Sequence, residues 1–361
     1  MEPTRGQTKH LSPTRETYLK RTSQKRLVLV GFAVLLVVLA VFELSRGSIR
    51  LSVAEVFSGL VSGDAGQASL IVRNLRLPHI LCAIIAGCAL AMSGCVFQST
   101  LHNPLASAST LGITQGAAFG ASLAIVVFTT GSTVALSSES IQWDNPGMTA
   151  LLAFAGASIS MIVISALSRF RDLEPETIVL AGVALGALFS GATAIIQYFA
   201  EDTKVAAIVF WTFGSLRRCT YPTLALMAAS TAACGIFFAL NVWNYNALES
   251  GESLAHSLGV RVRAVRMAGL ILATVCASTV IAFCGTINFI GLVAPHIMRR
   301  IVGSDYRYLL PASALCGSVL LLASDIISTA FVSGSVLPIG AITAFVGVPF
   351  FIWLLVKGVH H

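Results

Sequence analysis

Long apolar runs separated by short polar breaks dominate the chain from Leu27 onward. Leu27 to Phe42 and Ile80 to Phe97 carry no charge, and each approaches the length that crosses about 30 Å of hydrocarbon as a helix. The runs do not alternate apolar and polar positions, as the roughly ten-residue strands of a membrane barrel would. Runs and breakers together predict ten helical segments, at 27–44, 77–99, 104–128, 147–168, 177–199, 222–242, 264–284, 286–299, 309–330 and 338–356. The eighth is too short to span alone and reads as one limb of a broken helix lining a cavity, where irregular backbone is tolerated at membrane depth. The fold class is all-α: a polytopic transmembrane helical bundle of about ten helices, forming a single domain over 27–357.

Composition removes the water-soluble alternatives. Hydrophobic residues make up 56% of the 361, charged residues only 11%, and the mean hydropathy is +0.84. A soluble domain carries roughly a quarter charged residues on its surface. The first 26 residues differ from the rest: Arg5, Lys9, Arg15, Lys20, Arg21, Lys25 and Arg26 stand against Glu2 and Glu16. With no small-residue cleavage site, this segment reads as a disordered basic tail held on the cytoplasmic side rather than a signal peptide. No aromatic or structured partner accompanies the charge, so nucleic acid is not expected as a ligand. With ten crossings and the N-terminus inside, the cytoplasmic segments hold 16 of the 23 lysines and arginines, so both termini are placed in the cytoplasm.

Small residues recur at helical spacing, as in Gly112-x-x-x-Gly116-x-x-x-Gly120 and Gly182-x-x-x-Gly186. Such faces let helices approach closely in lipid, where no hydrophobic force drives them together. Gly94 precedes Pro104 by the same ten residues that separate Gly285 from Pro295. The offset contains an odd number of crossings, so the two halves would be inverted in the membrane. The eight cysteines lie almost all within apolar runs without a CxxC pair, and read as small buried hydrophobes rather than disulfides or metal ligands. Asp325 lies inside an apolar run near the outer end of its helix and is assigned a structural role, bonding backbone or a neighbour; His102, His256 and His296 are too scattered to read as a metal site.

Several strings occur together in a fixed order: Arg76-Leu77-Pro78-His79; Ala86-Gly87 through Ser93-Gly94; Asn103-Pro104-Leu105-Ala106-Ser107; Leu180-Ala181-Gly182; Trp211-Thr212-Phe213-Gly214-Ser215; Gly251-Glu252-Ser253-Leu254-Ala255 with Leu258-Gly259; Phe289-Ile290-Gly291-Leu292-Val293-Ala294-Pro295-His296; Ala323-Ser324-Asp325; Leu337-Pro338-Ile339-Gly340; and Gly347-Val348-Pro349-Phe350. From about residue 50 to 357 the chain resembles the FecCD-type permeases of bacterial ABC importers, the type II architecture that includes the cobalamin permease and many ferric-siderophore and haem permeases.

The resemblance implies a permease of the cytoplasmic (inner) membrane that imports a ferric siderophore, with haem, cobalamin or molybdate as alternatives. It implies an assembly with a second permease chain (a homodimer or a paralogue), two cytoplasmic ATPase subunits and an extracytoplasmic binding protein. The chain itself is then not an enzyme and holds no cofactor; ATP and Mg belong to the partner ATPase. One point stands independently: none of the five lysines follows a glycine, so no P-loop is present. An ion-driven transporter would place carboxylates or histidines near the midplane, and only Asp325 is deep in a run.

Three site expectations come with the resemblance. The 244–262 loop would couple to the ATPase through Glu249, Gly251, Glu252, Ser253, Ala255, Leu258 and Gly259, with the two glycines bracketing a short helix 252–258 and Ala255 giving it a small face toward the ATPase cleft. A cytoplasmic gate would use Asn103 and Leu105 with Glu174 and Pro175. Binding-protein docking would use Arg73, Arg76, His79, Arg217 and Arg218.

Overall fold

The computed structural model describes residues 13–45, 67–128, 145–170, 175–330 and 337–358, and among these the regular structure is helical with no strand. Every one of the ten predicted segments contains a helix. In chain order these are α1 (Pro13–Ser45), α2 (Leu77–Thr100), α3 (Ile113–Phe128), α4 (Pro146–Phe170) and α5 (Pro175–Phe199). There follow α6 (Asp202–Thr212), α7 (Tyr221–Leu240), α8 (Val242–Glu249), α9 (Glu252–Ser257), α10 (Val262–Cys284), α11 (Ile290–Val302), α12 (Tyr306–Ala330) and α13 (Ile339–Gly358). A turn, Gln67–Ile71, and a π-helical segment, Val72–Arg76, run directly into α2. Among the described residues, seven helices are long and apolar enough to cross a membrane, and α3 and α13 contain shorter apolar stretches.

Two boundaries differ from the pattern. Helix α1 begins at Pro13, so the second half of the basic segment continues the first helix rather than forming a loose tail; residues 1–12 lie outside the described residues. The 200–221 stretch, expected as an outer loop, contains α6, whose Ala207, Ile208 and Trp211 are buried. The apolar run from Val205 to Trp211 signals this helix, but it is too short to count as a crossing.

Helix α2 is the axis of the bundle: 78% of its most apolar window is buried, against 11% for α1 and 22% for α5. The reason is glycine at its crossings. A Cβ on Gly94 would fall 1.7 Å from the carbonyl oxygen of Gly291 in α11, and one on Gly87 would fall 2.4 Å from that of Gly317 in α12. The predicted small faces behave in the same way. Gly112 abuts Gly182, Gly116 abuts Gly156 of α4, and Gly120 abuts Leu152. Outward-facing Val30, Val34, Val37 and Val38 on α1, and Leu180, Val183, Leu188 and Ile195 on α5, remain exposed, as expected of surfaces solvated by lipid.

The expected helix break is present. Gly285, at φ +77°, ends α10, and Phe289, at φ +67°, starts α11. The paired positions of the internal repeat do different local jobs: Gly94 is a mid-helix contact point, whereas Gly285 is a chain break. A small cavity of about 20 Å³ lies where the break meets α2 and the start of α3; Ser93, Phe97, Ser107, Ser109, Thr114 and Asn288 are among its walls, and no charged side chain lines it.

Candidate functional site

One end of the bundle gathers the predicted coupling and gate residues. Backbone torsion sets α9: Gly251 at φ +111° and Gly259 at φ +79° flank it, with nothing within 4 Å of either would-be Cβ. The glycines are therefore needed for conformation rather than for space. Helix α9 presents Ser253, Leu254, His256 and Ser257 outward, and Leu258 follows at its end; Leu254 is 48% and Leu258 65% exposed. Ala255 corrects the expectation. It is fully buried within its own chain, so its small side chain serves packing inside this chain.

The two acidic residues of this segment are anchored to different helices. Glu249 pairs with Arg299 at the end of α11, and Glu252 pairs with Arg266 on α10. Arg266 also donates its Nε–H to the carbonyl of Thr100, the last residue of α2, at 3.1 Å. A ring nitrogen of His102 lies 2.7 Å from the carbonyl oxygen of Leu248 on α8. Asn246 donates to Asp305 at 3.1 Å and accepts from the backbone N–H of Tyr306 at 2.8 Å, while the Tyr306 hydroxyl donates to the Cys95 carbonyl at 3.0 Å. Burial works against the Asp305 carboxylate, but hydrogen bonds from Arg307 and Asn246 hold it below its ordinary value.

The gate residues stand next to this network. Asn103 accepts the Leu105 backbone N–H at 2.9 Å, which shapes a tight turn immediately after His102, itself at φ +44°. Leu105 is 40% exposed. Across an open cleft of about 570 Å³, His102, Asn103 and Pro104 face Pro175 and Glu176 at the start of α5. The structure thus brings the two gate segments together; Glu174 lies outside the described residues. The sequence reading missed the link supplied by His102, because nothing in the spacing places it against Leu248.

The opposite end holds the docking candidates, and two of them turn inward. His79 is not an outward contact: its Nε2 lies 2.9 Å from Oδ2 of Asp325, with the side chain only 13% exposed. Glu43 joins them, with one ligand-capable atom of each of the three residues lying within 4.8 Å of the others. Arg218 folds back so that Nη2 donates to the Phe210 carbonyl at 2.8 Å. Arg76 donates to the Leu44 carbonyl at 2.5 Å, tying the π-helical segment before α2 to the end of α1. The Arg73 carbonyl accepts from the Tyr221 hydroxyl. Arg217 is exposed. The expected bond from Asp325 to a neighbour is present.

A broken helix over a small uncharged cavity, a glycine-bracketed helix at one end and a tight helical core together describe a polytopic transport protein. The family model described as the FecCD transport family matches residues 35–357, and the chain belongs to that family. It is 43% identical over 335 residues to an ABC transporter permease protein of Methanocaldococcus jannaschii, covering 92% of this chain and 95% of that one. It is 34% identical to the hemin transport system permease protein of Yersinia pestis, covering 92% and 96%. Among solved structures, a metal-chelate-type ABC transporter in an inward-facing conformation superposes with a TM-score of 0.79 at 28% identity, covering 92% of this chain and 99% of that one. The protein is a multi-pass membrane permease.

Proposed function

We propose that this chain is the membrane-spanning subunit of an ATP-driven importer for a ferric siderophore in the cytoplasmic membrane, with both termini cytoplasmic. Its partners are a second permease chain, two cytoplasmic ATPase subunits that carry ATP and Mg, and an extracytoplasmic binding protein; the chain itself binds no nucleotide. One observation carries the mechanism: α8 meets the 101–105 gate loop directly, and α9 reaches the end of α2 just before that loop through Arg266 of α10. Leu248 meets His102, and Glu252 meets Arg266, which holds Thr100. A displacement of α9 by the ATPase is thereby delivered to the loop that faces Pro175. The relatives named for hemin and Fe(3+)-citrate, at 34% and 32% identity, support a metal chelate as cargo.

The test is uptake and ATP hydrolysis in proteoliposomes holding all subunits, offered ferric hydroxamate, ferric catecholate, haem, cobalamin and molybdate. Uptake of a ferric siderophore is expected, together with loss of stimulated hydrolysis in Gly251→Val, which forces a branched side chain to φ +111°. Normal transport by Gly251→Val would remove the coupling role; uptake of haem, cobalamin or molybdate alone would replace the cargo. The orientation is read on the same vesicles: a cysteine at exposed Glu201 should label from outside and one at Glu252 should not.

A further inference from the structure

Three cysteines far apart in the chain converge at the end of the bundle opposite α9. Cys82 lies in the second turn of α2, Cys219 just before α7, and Cys284 at the last turn of α10. Their sulfurs are separated by 2.7 Å (Cys82 to Cys219), 3.4 Å (Cys82 to Cys284) and 3.7 Å (Cys219 to Cys284). Cys82 and Cys284 are wholly buried and Cys219 is 8% exposed. A fourth soft donor adjoins them: the Met227 thioether lies 3.9 Å from the Cys219 sulfur, and Met227 is fully buried. All eight cysteines of the chain are free thiols.

We infer that Cys82, Cys219 and Cys284 form a site for a thiophilic d10 cation of the Cu(I) class, with Met227 as the adjoining soft donor. The geometry fits such an ion. Thiolates at about 2.3 Å from a tetrahedral centre stand about 3.8 Å apart, and two of the three sulfur–sulfur edges, at 3.4 and 3.7 Å, already approach that spacing. Only the Cys82–Cys219 edge must open. A disulfide across that edge would leave the third thiol unused. The donor chemistry decides the class of ion: three thiols and a thioether, with no carboxylate or imidazole among them, select soft monovalent copper over harder ions. The neighbouring Glu43, His79 and Asp325 are engaged with one another, and His79 stands one helical turn before Cys82.

Ligation requires the thiols to give up protons, and the bound cluster then carries net negative charge. Arg218, the residue before Cys219, supplies a cation next to the site in the chain. An ion held in this way stitches three segments together, the start of α2, the 213–220 connection and the end of α10. The last of these is the boundary of the helix break at Gly285, whose φ is +77°.

The experiment uses the purified full-length chain in detergent, reduced and stripped of metal. It is titrated with Ag(I), a redox-inert stand-in for Cu(I), and separately with Zn(II), each against a competing chelator. The expected result is one Ag(I) per chain, bound more tightly than Zn(II), with an all-sulfur first shell by X-ray absorption and a rise in unfolding temperature. Cys219→Ser should lose the site, and Cys316→Ser, at a buried cysteine elsewhere, should keep it. The wild-type titration stands whether or not Cys219→Ser folds. Absence of stoichiometric binding, tighter binding of Zn(II), nitrogen or oxygen in the first shell, retention of the site in Cys219→Ser, or a Cys82–Cys219 disulfide in unreduced membranes would each overturn the inference.

Discussion

The two ends of the bundle use charge in opposite ways. At the α8–α9 end the ion pairs are open to water on at least one side: the Glu252 side chain is 47% exposed and Glu249 30%. Each joins a short surface helix to the end of a long one. At the other end the polar groups are enclosed: Asp325 is 3% exposed, Glu43 9%, and both lie against His79. Exposed pairs contribute about 0–1 kcal/mol each, so those at the first end position elements more than they stabilise them. Removing one member of an enclosed pair leaves a charge without compensation and costs about 3–5 kcal/mol. Under the proposed function, the first end moves with a partner while the second stays closed.

That contrast makes ordered predictions. The largest effect should come from Asp325→Ala, which removes the carboxylate 2.9 Å from His79 and should lower stability in detergent by about 3–5 kcal/mol; the double variant with His79→Ala should recover part of that loss. Additive losses would show that the two residues are not energetically joined. Next, Gly94→Ala places a methyl 1.7 Å from the Gly291 oxygen, and overpacking of this kind costs about 1–3 kcal/mol or more. A normal unfolding temperature for this variant would mean that α2 and α11 do not cross so closely. The smallest stability change should come from Glu252→Gln, under about 1 kcal/mol, yet it should depress coupled uptake because its tie to Arg266 and Thr100 is weakened. Loss of stability equal to that of Asp325→Ala would erase the distinction between the ends.

The sequence made these ends legible to different degrees. Apolar run length located a helix in every predicted segment, because the cost of unsatisfied backbone in lipid leaves helix as the solution. Glycine spacing foretold the close crossings at Gly112, Gly116 and Gly182, since a missing Cβ is visible in a one-letter string. The positive φ of Gly251 and Gly259 was readable for the same reason. Side-chain direction was not. Ala255 and His79 were assigned to outward surfaces, and both turn inward, because a helix of six residues or the first turn of a buried one carries too little pattern to mark its faces. The thiol cluster was hidden by distance along the chain: Cys82, Cys219 and Cys284 meet only through tertiary packing. Helix α6 was missed because its apolar run is shorter than a span.

The central claim is that the coupling helices act on the gate through His102, whose ring meets the Leu248 carbonyl at 2.7 Å. Its most direct test is the ratio of substrate imported to ATP hydrolysed in proteoliposomes carrying His102→Ala. The account predicts that the ATPase stays bound and continues to hydrolyse ATP while the ratio falls severalfold. An unchanged ratio, with normal uptake, would contradict it.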